Sequence, residues 1–224
     1  MSHGKQFTLW THKTSPHGWK IVFVLEEFGF TWEPKWIDIN KNEQKDPAFT
    51  KYNPNGRAPA LIDHTNNDFT IWESNAILQY LVDKYDKART ISIAPGTDEY
   101  YIQLQWLYFQ GSGQGPYYGQ LAWFILYGPE KPQSVLDRYR NEILRVMGVL
   151  EDVLSKQEWL VGGRLTVADI SFFTWNAIVV DHFLGEGFDF AKEFPAVAKW
   201  HEKILERPAI KAAWDERKRL AALK

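Results

Sequence analysis

The sequence predicts two parts of different class, an α/β domain followed by an all-α domain. Across residues 1–87 the apolar positions switch repeatedly between strand-like alternation and helical spacing, whereas from about residue 98 nearly every apolar run is helical. Between these textures, residues 88–97 contain Ala94-Pro95-Gly96 and show no usable period, as a linker does. The expected organisation is therefore 1–87, a linker at 88–97, and a helical domain at 98–224.

In the first part, Phe7-Thr8-Leu9-Trp10 reads as a short strand. Ser15-Pro16 opens a helix, because a serine hydroxyl caps free amides and proline's fixed φ suits the first helical position. Ile21, Val22, Leu25 and Phe28 recur at helical spacing until Gly29 ends the run. A second strand is expected over residues 35–39, with Ile37 and Ile39 on one face. Asp46-Pro47 opens a short helix, and Asn53-Pro54-Asn55-Gly56 is a turn. Ala60-Leu61-Ile62 and Phe69-Thr70-Ile71-Trp72 form a hairpin across the polar turn 63–68. Ser74 then caps a helix whose apolar side is Ile77, Leu78, Leu81 and Tyr85. The order βαβαββα puts a parallel pair and an antiparallel hairpin in one mixed four-stranded sheet, which resembles a thioredoxin-like domain.

In the second part a helix is expected from Asp98 to about Gln110, with a kink or break at Gly111-Ser112-Gly113-Gln114-Gly115-Pro116. Val135, Leu136, Tyr139, Ile143, Val146, Met147, Leu150, Val153 and Leu154 form a core stripe at spacings of three and four. Thr166-Val167-Ala168-Asp169 is a capping box opening an almost wholly apolar, buried helix over 170–180. Phe194-Pro195 starts another helix, Pro208 stops it, and a charged, alanine-rich helix follows.

Composition removes whole classes of function. At 224 residues with 45% hydrophobic content the chain buries real cores, which excludes disorder. With 26 basic and 28 acidic residues there is no broad positive field for a phosphate backbone, so no nucleic-acid partner is expected. The absence of cysteine excludes disulfides, thiolate-bound zinc, iron–sulfur clusters and a cysteine nucleophile of the protein's own. No signal-peptide stretch or membrane-length apolar run stands out, so a soluble, cytoplasmic protein without a membrane partner is expected. His3, His12, His17, His64, His182 and His201 show no ligand spacing, and no metal is expected.

Three stretches carry function-like signals. Ser15-Pro16-His17-Gly18 places a hydroxyl at a helix N-terminus, which favours an anion; the plainer alternative is an ordinary N-cap. In Asn53-Pro54-Asn55-Gly56-Arg57-Ala58-Pro59-Ala60 a proline stands just before a strand, where a cis bond would turn the preceding backbone toward a cleft; a trans turn is the commoner arrangement. Trp72-Glu73-Ser74-Asn75 puts an acid and a hydroxyl at a second helix start, for binding or simply to complement the helix dipole.

Together these stretches resemble the glutathione-binding domain of a cytosolic glutathione transferase, with the Pro59 turn followed by Glu73-Ser74, and Thr166-Val167-Ala168-Asp169 matching the second-domain capping box. Ser15-Pro16-His17-Gly18-Trp19-Lys20, residues 53–61, Ile71-Trp72-Glu73-Ser74 and Gln105-Trp106-Leu107 are similar to the branch of the yeast nitrogen-regulating prion protein and the bacterial nu-class transferases. The Asn/Gln-rich extension of the yeast regulator has no counterpart before the first strand.

The resemblance implies that Glu73 receives the ammonium of glutathione's γ-glutamyl end and Ser74 its carboxylate, while the backbone of Ala58, before Pro59, pairs with the cysteinyl unit. It further implies that Arg57 lies near the tripeptide, that Gln44 contacts the glycyl end, and that Arg138 reaches the site from the second domain. A family tyrosine or cysteine activator has no counterpart before Tyr52, which leaves Ser15 or His17 to stabilise the thiolate. A second-substrate pocket contributed by the helical domain is implied around Trp10 or His12, Tyr108, residues 111–118 and Trp123. The function implied is glutathione-dependent conjugation of electrophiles, a detoxification chemistry, or reduction of disulfides and glutathionyl adducts. Glutathione serves as co-substrate with no further cofactor, and a homodimer is implied. The alternative is a non-enzymatic ligandin or regulatory glutathione-binding protein.

Overall fold

The structure, a computed structural model, describes residues 4–185 and 187–223; His3 lies outside them. Contacts divide the chain into two units, Met1–Lys87 with Arg207–Lys224, and Ala88–Glu206.

The first unit holds a four-stranded sheet of β1 (Phe7–Thr11), β2 (Trp32–Trp36), β3 (Ala60–Asp63) and β4 (Phe69–Trp72), in the order β2-β1-β3-β4. β1 runs parallel to β2 and antiparallel to β3, and β3 runs antiparallel to β4. The mixed thioredoxin-like sheet expected from the sequence is therefore present. Helices α1 (Pro16–Glu27), α2 (Pro47–Thr50) and α3 (Ser74–Tyr85) follow in the expected order. Gly29 ends α1 as anticipated: at φ +63° it sends its amide to Glu26 O, and Phe30 sends its amide to Leu25 O, a Schellman closure that needs the left-handed backbone.

β2 departs from the sequence reading. It spans Trp32–Trp36 rather than 35–39, because the Asp38 carboxylate accepts from Asn40 N and turns Ile39–Lys41 into a 3-10 turn. Pro34 fits there because β2 is an edge strand. The far end of β3 is tied to α3 through buried Asp63, which accepts from the hydroxyls of Tyr80, Tyr85 and Thr65.

The second unit comprises α4 (Asp98–Phe109), α5 (Gly115–Leu126), α6 (Gln133–Leu154), α7 (Val167–His182), α8 (Phe190–Glu193) and α9 (Pro195–Leu205). Instead of breaking, the glycine-rich stretch continues the helix as a π turn, Gln110–Gln114. The α6 stripe is core, with Leu136, Ile143, Val146, Met147, Leu150 and Leu154 buried. α7 is buried along most of its length behind the Thr166/Asp169 capping box. Among the described residues, no helix is long and apolar enough to cross a membrane.

Two allegiances differ from the sequence reading. Residues 88–97 are packed into the helical unit rather than hanging free: Ile91 and Ile93 are buried, and Ile91 O accepts from Val167 N at 2.9 Å. The last helix, α10 (Pro208–Ala222), was expected within 98–224 but packs on α1 in the sheet unit.

His201 is buried among Phe173, Phe190 and Trp200, and its Nε2 has no hydrogen-bond partner. Burial pulls its pKa down to about 3. Between that value and the ordinary ~6.5 the unfolded chain binds a proton that the folded chain refuses, so stability falls as pH drops through this window and is fully present above it. Replacing His201 with leucine is expected to flatten the stability loss between about pH 6.5 and 4 in urea titrations. An unchanged pH slope would exclude His201 as a source of acid lability.

Candidate functional site

The first part of the site is the loop between β1 and α1. Ser15 is the N-cap of α1 with extended backbone, φ −61° and ψ 122°, but its hydroxyl makes no capping hydrogen bond, contrary to the sequence expectation. The amides of Gly18 and Trp19 both turn to Ser15 O at 3.2 Å instead. Ser15 N donates to His12 O at 3.2 Å, and Thr14 N donates to His12 Nδ1 at 3.3 Å, which leaves the imidazole proton on Nε2. Gly18 lets α1 start close against the sheet: a Cβ there would lie 1.9 Å from Thr11 Oγ1 and 2.9 Å from Thr11 Cβ.

The second part is the turn before β3. Buried Asn53 donates through Nδ2 to Arg57 O and accepts from Asn55 N at 3.0 Å, while Gly56 takes φ +60°. Asn53 thus shapes the turn from its inner side. The Ala58–Pro59 bond is cis. Ladder pairing ends at Trp10↔Ala60 and Ala60↔Trp72, so Ala58 presents its backbone beyond the sheet's last rung. Gln44 lies on the 3-10 turn Glu43–Lys45, whose backbone abuts Gly56, and its buried Oε1 has no partner.

The third part is the start of α3. Glu73, exposed at the N-cap, holds φ +69°, an uncommon conformation for a non-glycine residue and one of a kind that clusters at functional sites. Ser74 is buried as the first helical residue rather than as the cap, and its Oγ lies 3.4 Å from His17 Nδ1. Beside it Lys20, fully buried, donates to Asn75 Oδ1 at 2.5 Å.

Electrostatics bind these groups into one cluster. Burial, helped by the Lys20 and Arg57 charges, pulls His17 down to about 3, so its ring is neutral at physiological pH. Burial also pulls Lys20 down to about 7, against the pull of Glu73. Ser15, His17, Arg57, Ala58, Pro59, Glu73 and Ser74 therefore belong to one corner of the sheet unit, with Gln44 on its flank. Arg138 is exposed on α6 of the helical unit. The sequence reading named Lys20 and Asn75 within its motifs but gave them no role, although a lone lysine in the otherwise apolar run 19–25 was the available signal.

The aromatic residues expected around a second substrate come from both units. Trp10 is half-buried against Phe49 and Tyr52, while Tyr108 and Trp123 are exposed on the helical unit. A cavity of about 520 Å³ in that unit is lined by other residues, including Ile102, Trp106, Val153 and Trp159. Among the described residues, no group of three or more histidine or carboxylate side chains could hold a metal ion.

Comparison with known proteins gives these parts a family. Models of the glutathione S-transferase N-terminal and C-terminal domains match residues 5–83 and 116–208. Glutathione S-transferase 1 of Schizosaccharomyces pombe is 50% identical over 95% of this chain and 96% of its own. Glutathione transferase URE2P8 of Phanerochaete chrysosporium, solved with oxidized glutathione, is 63% identical with a TM-score of 0.95, covering 99% of both chains. URE2P5 from the same organism, cocrystallized with 1-(S-glutathionyl)-2,4-dinitrobenzene, is 48% identical with a TM-score of 0.90 over 99% of this chain and 98% of that one. The branch resemblance carried by residues 15–20, 53–61 and 71–74 is thus matched by whole-chain similarity. With both domain models matched over most of its length and a glutathione S-transferase 50% identical across nearly the whole chain, the chain belongs to the glutathione S-transferase family.

Proposed function

We propose that the protein is a glutathione transferase in which the thiolate of bound glutathione attacks an electrophilic carbon or a disulfide sulfur. The observation that carries this reading is the Ser15 hydroxyl, placed at the start of α1 and not used in capping. It is a donor for the glutathione sulfur, and such donation lowers a thiol pKa by stabilising the charged form. Neutral His17, which contacts Ser74 through Nδ1, is the alternative donor at the same sulfur. Ser74 and the first-turn amides of α3 suit the γ-glutamyl carboxylate, and exposed Glu73 suits its ammonium. Beyond the sheet's last rung, the Ala58 backbone at Pro59 offers strand-like pairing to the cysteinyl unit. Arg57 supplies positive charge near the tripeptide, and the unpartnered Gln44 Oε1 is an acceptor for the amide N–H of its glycyl unit. Arg138 completes the reading as a glutathione-binding residue.

With no cysteine in the chain, disulfide reduction proceeds through glutathione's own sulfur and never through a protein–glutathione mixed disulfide. The helical unit supplies second-substrate contacts, glutathione is the only co-substrate, and the setting is cytoplasmic, where glutathione is held largely reduced. Exposed aromatic side chains, Trp72 on the sheet unit and Tyr101 and Tyr108 on the helical unit, support a homodimer.

The deciding experiment compares aromatic conjugation with disulfide reduction, side by side, under glutathione. Turnover in either assay supports the enzyme. Glutathione binding with neither reaction would replace it with a ligandin or regulatory binder. Ser15→Ala is expected to lower turnover at least about tenfold with KM for glutathione within a few-fold, equivalent to ~1.4 kcal/mol of transition-state stabilisation. Unaltered kinetics would transfer the role to His17.

A further inference from the structure

The helix that joined the sheet unit unexpectedly makes a specific contact with the Ser15 loop. α10 presents Ile210, Ala213, Trp214 and Arg217 as its buried face, spaced i, i+3, i+4 and i+7. Its start is tied to the end of α1 by the ion pair of Arg207 with Glu27, and Trp214 meets Phe23 of α1 edge-on at 6.3 Å. Arg217, only 7% exposed, lies over the Trp214 ring at 4.8 Å and donates through Nη2 to Thr14 O at 3.1 Å. From α1 itself, Trp19 Nε1 donates to Lys13 O at 2.7 Å. Two consecutive carbonyls before Ser15 are therefore each held by a side chain from a different helix.

This geometry reaches Ser15 directly. Thr14 C=O and Ser15 N–H are the two ends of one planar peptide unit. Arg217 holds the carbonyl end, and His12 O accepts from the amide end at 3.2 Å. With both ends fixed, the plane has no freedom to rock, and the direction of the Ser15 Cα–Cβ bond is set. Burying a guanidinium is costly unless its donors are satisfied, so its placement on a loop carbonyl rather than in solvent calls for a role beyond packing.

We propose that Arg217 is a positioning residue of the transferase site: by locking the Thr14–Ser15 peptide from α10, it aims the Ser15 hydroxyl at the glutathione sulfur. It touches no substrate itself. The proposal rests on the reading of Ser15 as the thiolate stabiliser.

The test follows the pKa of enzyme-bound glutathione, read from thiolate absorbance against pH, with kcat and KM, in the full-length chain. Arg217→Met is expected to raise that pKa by about half a unit and so to cut turnover about threefold below it, with KM for glutathione within about twofold. Arg217→Lys, which restores a donor, is expected to recover part of both. Arg207→Ala loosens the other end of α10 and is expected to lower the melting temperature without moving the thiol pKa, which separates positioning from mere stability. Should Arg217→Met not fold, Arg217→Gln provides the same readouts. A shift in Ser15→Ala with none at position 217 overturns the clamp alone. No shift in Ser15→Ala overturns the Ser15 reading and the clamp together.

Discussion

Asp169→Ala is expected to cost at least about 3 kcal/mol of stability, the largest loss among the substitutions considered. The carboxylate lies fully buried at the start of α7 and accepts four hydrogen bonds. Oδ1 takes Leu160 N at 2.9 Å and Trp200 Nε1 at 3.0 Å; Oδ2 takes Thr166 N at 2.8 Å and Thr166 Oγ1 at 3.0 Å. It therefore joins the helix start, the 160 loop and α9. Losing the cap costs about 0.5–2 kcal/mol, and each buried donor left without an acceptor adds roughly 1–3 kcal/mol, moderated by whatever water enters. All four partners donate, so the site suits an acceptor-only carboxylate even though burial pushes its pKa up to about 6. Asp169→Asn keeps one acceptor but turns an amide toward at least one donor, so it is expected to lie between alanine and the original chain. Urea midpoints decide the matter: a loss below about 1 kcal/mol for alanine would show that the 160 loop and α9 are held by apolar packing alone.

Gly18→Ala is expected to destabilise the sheet unit by about 2 kcal/mol or more, and to impair glutathione turnover beyond what that loss explains. The new Cβ would sit 1.9 Å from Thr11 Oγ1 and 2.9 Å from Thr11 Cβ, inside β1, so rotating the threonine relieves only the closer clash. The start of α1 must then move off the sheet, taking Ser15 and His17 with it. Thr11 Oγ1 is buried without a partner, so Thr11→Ala alone is expected to be nearly neutral, within about 0.5 kcal/mol. The double variant should recover much of the loss. Equal stability of Gly18→Ala with and without Thr11→Ala would exclude this contact as the cause.

Much of this architecture was legible in the residues because its signals are local. Gly29, Pro16, the Asn53–Gly56 turn and the Thr166/Asp169 box each dictate a backbone event within a few positions, and each is found where expected. β2 was displaced because Ile37 and Ile39 suggested an alternation that the Asp38 turn overrides. At the glycines of 111–115 a π turn and a break look alike in composition, since both use residues that tolerate irregular backbone. The allegiance of α10 was not legible for a deeper reason. Spacing shows that Ile210, Ala213 and Trp214 form an apolar face, but periodicity carries no address for the surface that face covers. Arg217 and Lys20 were given no role from the sequence, as charged residues usually face water, and only the fold reveals the carbonyl or amide oxygen that receives each one.

The division of the chain has a consequence for its synthesis on the ribosome. Ala88–Glu206 draws its contacts from one continuous stretch and is complete when that stretch has emerged. The unit that holds the sheet is assembled from segments on either side of that stretch in the sequence, so α10 appears only after the helical unit has been made. The strands must wait with the face of α1 uncovered, reversing the usual order in which the unit made earlier matures first. A nascent chain stalled before Arg207 would present a mature helical unit and an unfinished sheet unit to the quality-control machinery of the cell.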